Sequence, residues 1–282
     1  YGWSARFARK PGQEDRQSVV EAFGSFTKEM AQRAPKAFKV APVVKTGRLL
    51  EIAVMDAHLA RLCWSRETRG PDYDLKIAIQ DYKNAVYGLA AHAKVNGVSR
   101  ILLPLGNDYF NSDNMAGETT HGTPQSQNED GRWQKSFNMG CETAVEVIET
   151  LAKDFEVDVV IVSGNHDFEK CYYMGEVVRA YFHNHSRVKI DNEPTQRKYY
   201  TYGTNLILFT HGDEEKHADL PLIMATEMKE AWSKTTCREI HMGHYHQHKS
   251  MEKNGVRMRI ISSLAAADSW SASKGYVGNL RA

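Results

Sequence analysis

An α/β fold that becomes mixed (α+β) toward its C-terminus is predicted by three observations. Between residues 49 and 184, apolar runs of strand length alternate with longer segments of helical periodicity, the rhythm of βαβ units. Beyond residue 196 that rhythm gives way to short strands joined by turns. The chain has 282 residues, 41% of them hydrophobic, enough for one large domain with a sizeable core and an appendage.

Taken in order, residues 13–33 place Val19, Val20, Phe23, Phe26 and Met30 near helical spacing, which predicts a helix. Pro35 and Pro42 keep the stretch between them out of helix. Residues 1–48 carry ten Lys/Arg against four Asp/Glu, so they read as a basic N-terminal helical appendage and linker. A nucleic-acid-facing arm and a solvated helix face both fit that charge. The main domain is residues 49–282. Buried strands are predicted over 49–55, 101–105 and 157–162, and helices over 75–95, 136–153 and 168–184. A hairpin follows over 197–202 and 206–210, then a helix over 218–232 and strands over 239–242 and 257–261. The polar stretch 111–132 is too long for an ordinary connection, which predicts a functional lid or a disordered segment.

Bulk properties exclude several classes. No run of 18 apolar residues is present, so no membrane span is expected, and no secretory leader pattern opens the chain. Cys63, Cys141, Cys171 and Cys237 are scattered without a CxxC pair, which argues against a zinc ribbon or disulfide framework and for reduced packing thiols in a cytoplasmic protein. The net charge of +1 provides no global field for nucleic acid.

The chemistry clusters just beyond the C-terminal ends of the predicted strands, where open α/β sheets place their sites. Strand 49–55 is followed by Asp56-Ala57-His58, whose alternate side chains would leave the strand on one side. Strand 101–105 is followed by Gly106-Asn107-Asp108, a tight turn that presents a carboxylate. Next come Gly164-Asn165-His166-Asp167, then His211-Gly212-Asp213, then Gly243-His244-Tyr245-His246. Asp56, His58, Asp108, Asn165, His211, His244 and His246 make a mixed N/O donor set without thiolate, which suits Mn²⁺, Fe or Zn²⁺. If Asp108 bridges, seven residues complete two sites about 3.5–4 Å apart, the spacing of two-metal hydrolases. His166 is a candidate to bond a phosphate oxygen or protonate a leaving group.

This order of motifs resembles the calcineurin-like metallophosphoesterase superfamily, over roughly residues 49–263. The resemblance implies a β-sandwich flanked by helices, a four-layer α/β/β/α fold. It implies that Asp56, His58 and His246 hold one metal ion, that Asn165, His211 and His244 hold a second, and that Asp108 bridges them. It makes His166 the transition-state histidine and two divalent ions, Mn²⁺ first, the cofactor. Asp-Ala-His-Leu-Ala and Gly-His-Tyr-His are similar to the DNA-repair exonuclease and phage phosphoesterase branch, with a looser likeness around 262–264 and 274–278. Two departures stand out: Asn107 replaces the usual glycine, and Asn111 stands where the repair exonucleases carry a histidine.

Further candidates surround this set. Asp167 and Asp213 are expected to orient ligand histidines. Asn111, His121 in the polar stretch and His248 after the last motif are candidate substrate contacts. Tyr109, Phe110, Trp133 and Trp270 either stack on a base or pack in the core. The implied function is hydrolysis of phosphodiester bonds in DNA or RNA, exonuclease-like, with a homodimer or an ATPase as conceivable partner. Two other readings remain open: hydrolysis of a small nucleotide or cyclic nucleotide, and a non-catalytic metal-binding scaffold.

Overall fold

The computed structural model describes residues 13–34, 46–125 and 129–276. Along the first half run α1 (Gln13–Arg33), β1 (Leu49–Glu51), α2 (Ser65–Thr68), α3 (Leu75–Val95), β2 (Arg100–Gly106), α4 (Trp133–Ala152), β3 (Glu156–Val162), α5 (Phe168–Tyr181) and β4 (Val188–Asp191). The second half holds β5 (Lys198–Tyr202), β6 (Asn205–Phe209), α6 (Leu220–Glu227), α7 (Lys229–Lys234), β7 (Cys237–Met242), β8 (Lys249–Lys253), β9 (Val256–Ile260) and α8 (Ser269–Ser273). The first sheet is parallel, in the order β1-β2-β3-β4. The second is mixed, in the order β5-β6-β7-β9-β8, with β6, β7 and β9 parallel and an antiparallel strand at each edge.

Strand periodicity of two makes the layers. Ile101, Leu103 and Leu105 of β2 and Val157, Val159 and Ile161 of β3 pack against the helices that follow the first sheet. The alternate residues Leu102, Val160 and Val162 face the second sheet, where Met55 and Phe209 meet them. On the far side Leu206, Leu208 and Ile240 pack against Leu220 and Met224 of α6. Three apolar interiors therefore separate four layers, α/β/β/α, as the resemblance implied. The helix α1 lies on this body: Phe23 stacks on Tyr173 at 4.8 Å between ring centroids, and Phe26 meets Phe137 at 5.8 Å. The side chains of Val19 and Val20, the stretch 35–45 and residues 277–278 lie outside the described residues.

Several elements differ from expectation. The 49–55 run pairs as a strand only over its first three residues; beyond them the chain crosses from the first sheet toward the second, with Ile52 N–H donating to Leu102 and Met55 bridging Ser263. The segment 218–232 is two helices broken at Met228, which lets both Met224 and Trp232 face the second sheet. The edge strands β4 and β8 carry alternating charged residues and bury little, so their apolar signal is weak. Cys237 is exposed rather than packed, while Cys63, Cys141 and Cys171 are buried free thiols. Among the described residues no helix is long and apolar enough to cross a membrane.

The polar stretch 111–132 is anchored rather than lid-like where it is described. Asp113 accepts hydrogen bonds from the N–H groups of Glu169 and Lys170, capping α5 from outside its own sequence, and also accepts from the Thr120 hydroxyl. The buried ammonium of Lys170 donates to the Ser112 carbonyl at 2.5 Å.

A buried polar cluster is among the links between the sheets. His241 on β7 meets Glu51 on β1 at 2.6 Å through Nδ1 and Glu239 at 3.1 Å through Nε2, and Arg259 backs Glu239 at 2.7 Å. Burial lowers the tendency of His241 to ionise, but the two carboxylates outweigh it and raise its pKa above the ordinary 6.5. A raised folded-state pKa contributes stability that is fully present below pH 6.5 and is lost as pH rises through the folded value. His241→Gln is therefore expected to destabilise the protein by about 1–2 kcal/mol at pH 6 and by less at pH 9, read as thermal midpoints of both proteins across that range.

Candidate metal centre

The five motifs meet at the C-terminal ends of β1, β2, β3, β6 and β7, so both sheets contribute to one site. The strand-alternation expectation for Asp-x-His is corrected by the backbone. Among the described residues nine non-glycine residues have positive φ, and Asp56, His58, Asn107, Asp108, His244 and His246 are six of them. Each such residue costs about 1–2 kcal/mol, least for Asp, Asn and His. The side chains converge because the backbone is bent at the ligands themselves, not because a strand continues through them. Cross-links hold the bends: Asp56 N–H donates to Asn107, His58 N–H to the Asp108 carbonyl and His244 N–H to the Asp56 carboxylate.

Two donor groups form around Asp108. In the first, His58 Nε2 and His246 Nε2 are 3.1 Å apart, and Asp56 Oδ1 lies 3.4 Å from His246 Nε2 and 4.0 Å from His58 Nε2. In the second, Asn165 Oδ1 lies 2.9 Å from His211 Nε2 and 3.0 Å from His244 Nδ1. Asp108 Oδ2 faces both groups, 3.1 Å from His211 Nε2 and 3.9 Å from His58 Nε2, while its Oδ1 accepts the His166 N–H at 2.7 Å. All seven expected ligands are thus brought together, with Asp108 between the two sets.

This donor set fits divalent cations. Asp56 and Asp108 are buried, yet among the described residues neither has a Lys or Arg within ion-pair distance. Buried carboxylates without a cation are costly, and crowded imidazole nitrogens with carboxylate and amide oxygens are what Mn²⁺, Fe or Zn²⁺ accept. Among the described residues the buried Nδ1 of His58 has no hydrogen-bond partner, a further unsatisfied atom at the site.

Without a cation, protons take that place. Burial opposes ionisation of His211, but the Asp108 carboxylate outweighs it and raises the imidazole to about 9. Burial tends to raise Asp108; His211 and His166 reverse this and hold it well below the usual carboxylate range. Burial lowers His58 and His244, helped by their cationic neighbours. Metal ligation needs neutral imidazole, so loading the site must expel the His211 proton. Metal affinity is expected to rise with pH by up to about tenfold per unit toward pH 9, with proton release visible by calorimetry in buffers of different ionisation enthalpy.

Glycines make room for the carboxylates. A methyl at Gly164 would overlap the carboxylate and backbone nitrogen of Asp108, and one at Gly243 would overlap the carboxylate of Asp56. The motif glycines are therefore spaces, filled by ligand side chains.

Other expectations divide. Asp167 is buried and, among the described residues, makes no hydrogen bond to a candidate ligand histidine; it accepts from the N–H groups of Gly164 at 2.9 Å and Phe110 at 3.0 Å, bracing the two turns that carry Asp108 and Asn165. Burial, then the Asp108 charge, push it up to about 7. Asp213 lines a cavity of about 190 Å³ beside His211, with Glu214 and Glu215, and among the described residues makes no hydrogen bond to a candidate ligand histidine. The residue that orients His211 is Asn107, whose Oδ1 lies 3.1 Å from Nδ1. The departure from glycine at this position was the available signal, and its meaning needed the fold. His121 is exposed and sits 3.3 Å from Glu214, a carboxylate that competes with any phosphate. His248 is exposed and lines neither cavity at the centre. Asn111 is buried: its carbonyl accepts from His166 Nδ1 at 2.8 Å, and its Oδ1 accepts from Arg61 Nε at 3.3 Å. Tyr109 and Phe110 are buried against Tyr82 and Phe137 and cannot stack on a base. Arg61, unmarked by any motif, lines a larger cavity of about 510 Å³ together with Asp108, His166, His246 and Trp270.

No family model and no curated protein sequence matches this chain. Solved structures are similar to it. An archaeal phosphodiesterase shares 13% identity over 66% of this chain and 80% of its own, at a TM-score of 0.35. A single mutant of Vps29 from Entamoeba histolytica shares 13% identity over 60% of each chain, at a TM-score of 0.28. A conserved Streptococcus pneumoniae protein described as a predicted phosphoesterase shares 12% identity over 77% of this chain and 72% of its own, at a TM-score of 0.28. At these values neither substrate nor residue roles pass from them to this chain.

Proposed function

We propose that this protein is a dinuclear metal-dependent phosphodiesterase of the calcineurin-like kind that acts on nucleic acid. The observation that carries the proposal is the convergence of seven N/O donors from both sheets, with Asp108 Oδ2 facing each set, at the floor of an open cavity. When bound there, two divalent ions supply Lewis-acid activation of water and neutralise charge on the phosphoryl group. Asp56, His58 and His246 would hold one ion and Asn165, His211 and His244 the other, with Asp108 available to both sets. Asn107 keeps the His211 imidazole turned so that Nε2 faces the centre.

His166 is the group for proton work. The Asn111 carbonyl can only accept, so His166 Nδ1 carries a proton and Nε2 is the atom left for substrate. Protonated, Nε2 donates to a phosphoryl oxygen or to the leaving oxygen; neutral, it accepts the proton back from water. Asp213 and Glu214 put negative charge on one side of the centre, unfavourable for a phosphate backbone, while Glu215 there is paired with Arg197. The substrate therefore enters from the Arg61 side.

The test is Mn²⁺-dependent hydrolysis of labelled single- and double-stranded DNA beside bis-p-nitrophenyl phosphate, in the wild type and in His166→Ala. Cleavage of DNA that falls about a hundredfold or more in the variant, with metal content unchanged, is the expected result. Cleavage of the small diester alone would transfer the reading to small nucleotides. Two bound ions with no turnover of either substrate would leave the metal-binding scaffold.

A further inference from the structure

Three exposed aromatic side chains rim one cavity. Trp270 is 58% exposed, Tyr276 53% and Tyr245 46%, and all three line the 510 Å³ space whose floor holds Asp108, His166 and His246. Large apolar faces left in water are unfavourable unless something covers them. Trp270 and Tyr276 stand with ring centroids 6.1 Å apart at 48°, leaving a shelf beside the metal centre.

The shelf is built, not incidental. Its helix α8 has five residues, too few to persist unaided. Asp268 caps it, accepting the Ser271 N–H at 2.8 Å, and the Tyr276 N–H returns to the Ser271 carbonyl at 2.9 Å. Asp268 is itself buried and lies 3.8 Å from Arg61 Nε. Arg61 is only 5% exposed, and its Nε is also held by Asn111, the residue that holds His166. Arg61 also lines the cavity, and a planar guanidinium fork suits phosphate. One chain of contacts thus places a phosphate-binding fork, an aromatic shelf and His166 relative to one another.

From this geometry, and resting on the phosphodiesterase reading above, we propose that the cavity between Arg61 and Trp270 is a subsite for one unpaired nucleotide. Arg61 holds a phosphate oxygen, and the indole of Trp270 stacks on the base. A paired base keeps both faces inside the duplex, so the shelf selects single-stranded ends, loops or free nucleotide esters.

The experiment compares a single-stranded oligothymidylate, a fully abasic strand of equal length, a blunt duplex, and thymidine 5′-p-nitrophenyl phosphate. Trp270→Ala is expected to lower kcat/KM on the oligothymidylate about tenfold to a hundredfold, chiefly through KM, with little change on the abasic strand. Trp270→Phe is expected to recover most of the loss. Arg61→Lys and Arg61→Gln are expected to raise KM about tenfold on both strands alike, with metal content unchanged. An equal fall of thymidine 5′-p-nitrophenyl phosphate turnover in Trp270→Ala would show that a single nucleotide suffices; a fall confined to the strands would show that chain context is needed. Both results support the subsite. Equal losses on thymidylate and abasic strands, or none in Trp270→Ala, would overturn it. Anisotropy of a labelled octathymidylate reads the same contrast without turnover. Should the wild type bind the strand through Trp270 yet cleave nothing, the catalytic reading fails and the subsite stands.

Discussion

Asp108→Asn is expected to abolish binding of both metal ions and to lower phosphodiester hydrolysis at least about a thousandfold. The substitution keeps the side-chain shape, and an amide oxygen in place of Oδ1 still accepts the His166 N–H that is 2.7 Å away. What changes is the atom that replaces Oδ2. That position faces His211 Nε2 at 3.1 Å and His58 Nε2 at 3.9 Å, and an amide NH₂ there cannot ligate a cation. The same change removes the charge that raises His211, so the apo protein loses its tightly held imidazolium. Metal content by mass spectrometry, hydrolysis of bis-p-nitrophenyl phosphate and circular dichroism together check the prediction. A variant that keeps two ions and near-normal turnover would remove Asp108 from the centre.

The second large effect is expected from a single methyl group. Gly164→Ala places Cβ inside the space occupied by the Asp108 carboxylate and backbone nitrogen, neither of which is a freely moving chain end. Asp108 already has positive φ and its backbone nitrogen is among the overlapped atoms, so relief requires the β2 turn and the Gly164-Asn165-His166 turn to part. Metal binding and hydrolysis are expected to fall by about a hundredfold or more, with a stability loss of about 1–3 kcal/mol. Gly243→Ala should affect the Asp56 side alone, because its methyl meets that carboxylate. Titration of metal into both variants, followed by activity at saturating Mn²⁺, distinguishes them: excess metal should restore Gly243→Ala more fully than Gly164→Ala, whose damage lies at the residue shared by both sites.

The seven candidate donors, their order and their placement after strands were legible before any coordinates, and the fold brings them together. Short apolar runs bounded by Gly, Asp and His mark strand exits, and local composition is enough to show them. The helix expected over 75–95 coincides with α3 because Asp74 caps it and the apolar face is continuous. The break of 218–232 at Met228 and the early end of β1 were not legible, because both respond to the second sheet, a partner distant in sequence.

The roles of the polar residues around the ligands belong to the tertiary structure. Asp167 looked like an orienter of histidine from its place beside His166, yet its partners are the N–H groups of Gly164 and Phe110. Asn107 looked like a defect in a glycine turn and proves to hold a histidine 104 residues away. Arg61 carried no motif at all and gains its place from Asn111 and from Asp268, which also caps the helix of Trp270. The residue types and spacings written in the chain were enough to single out the donors that the fold gathers, and so to motivate a two-cation centre as a proposal. Only folding decided which atoms face one another, because a hydrogen bond or a cavity depends on ångström-scale placement of segments that local sequence does not connect.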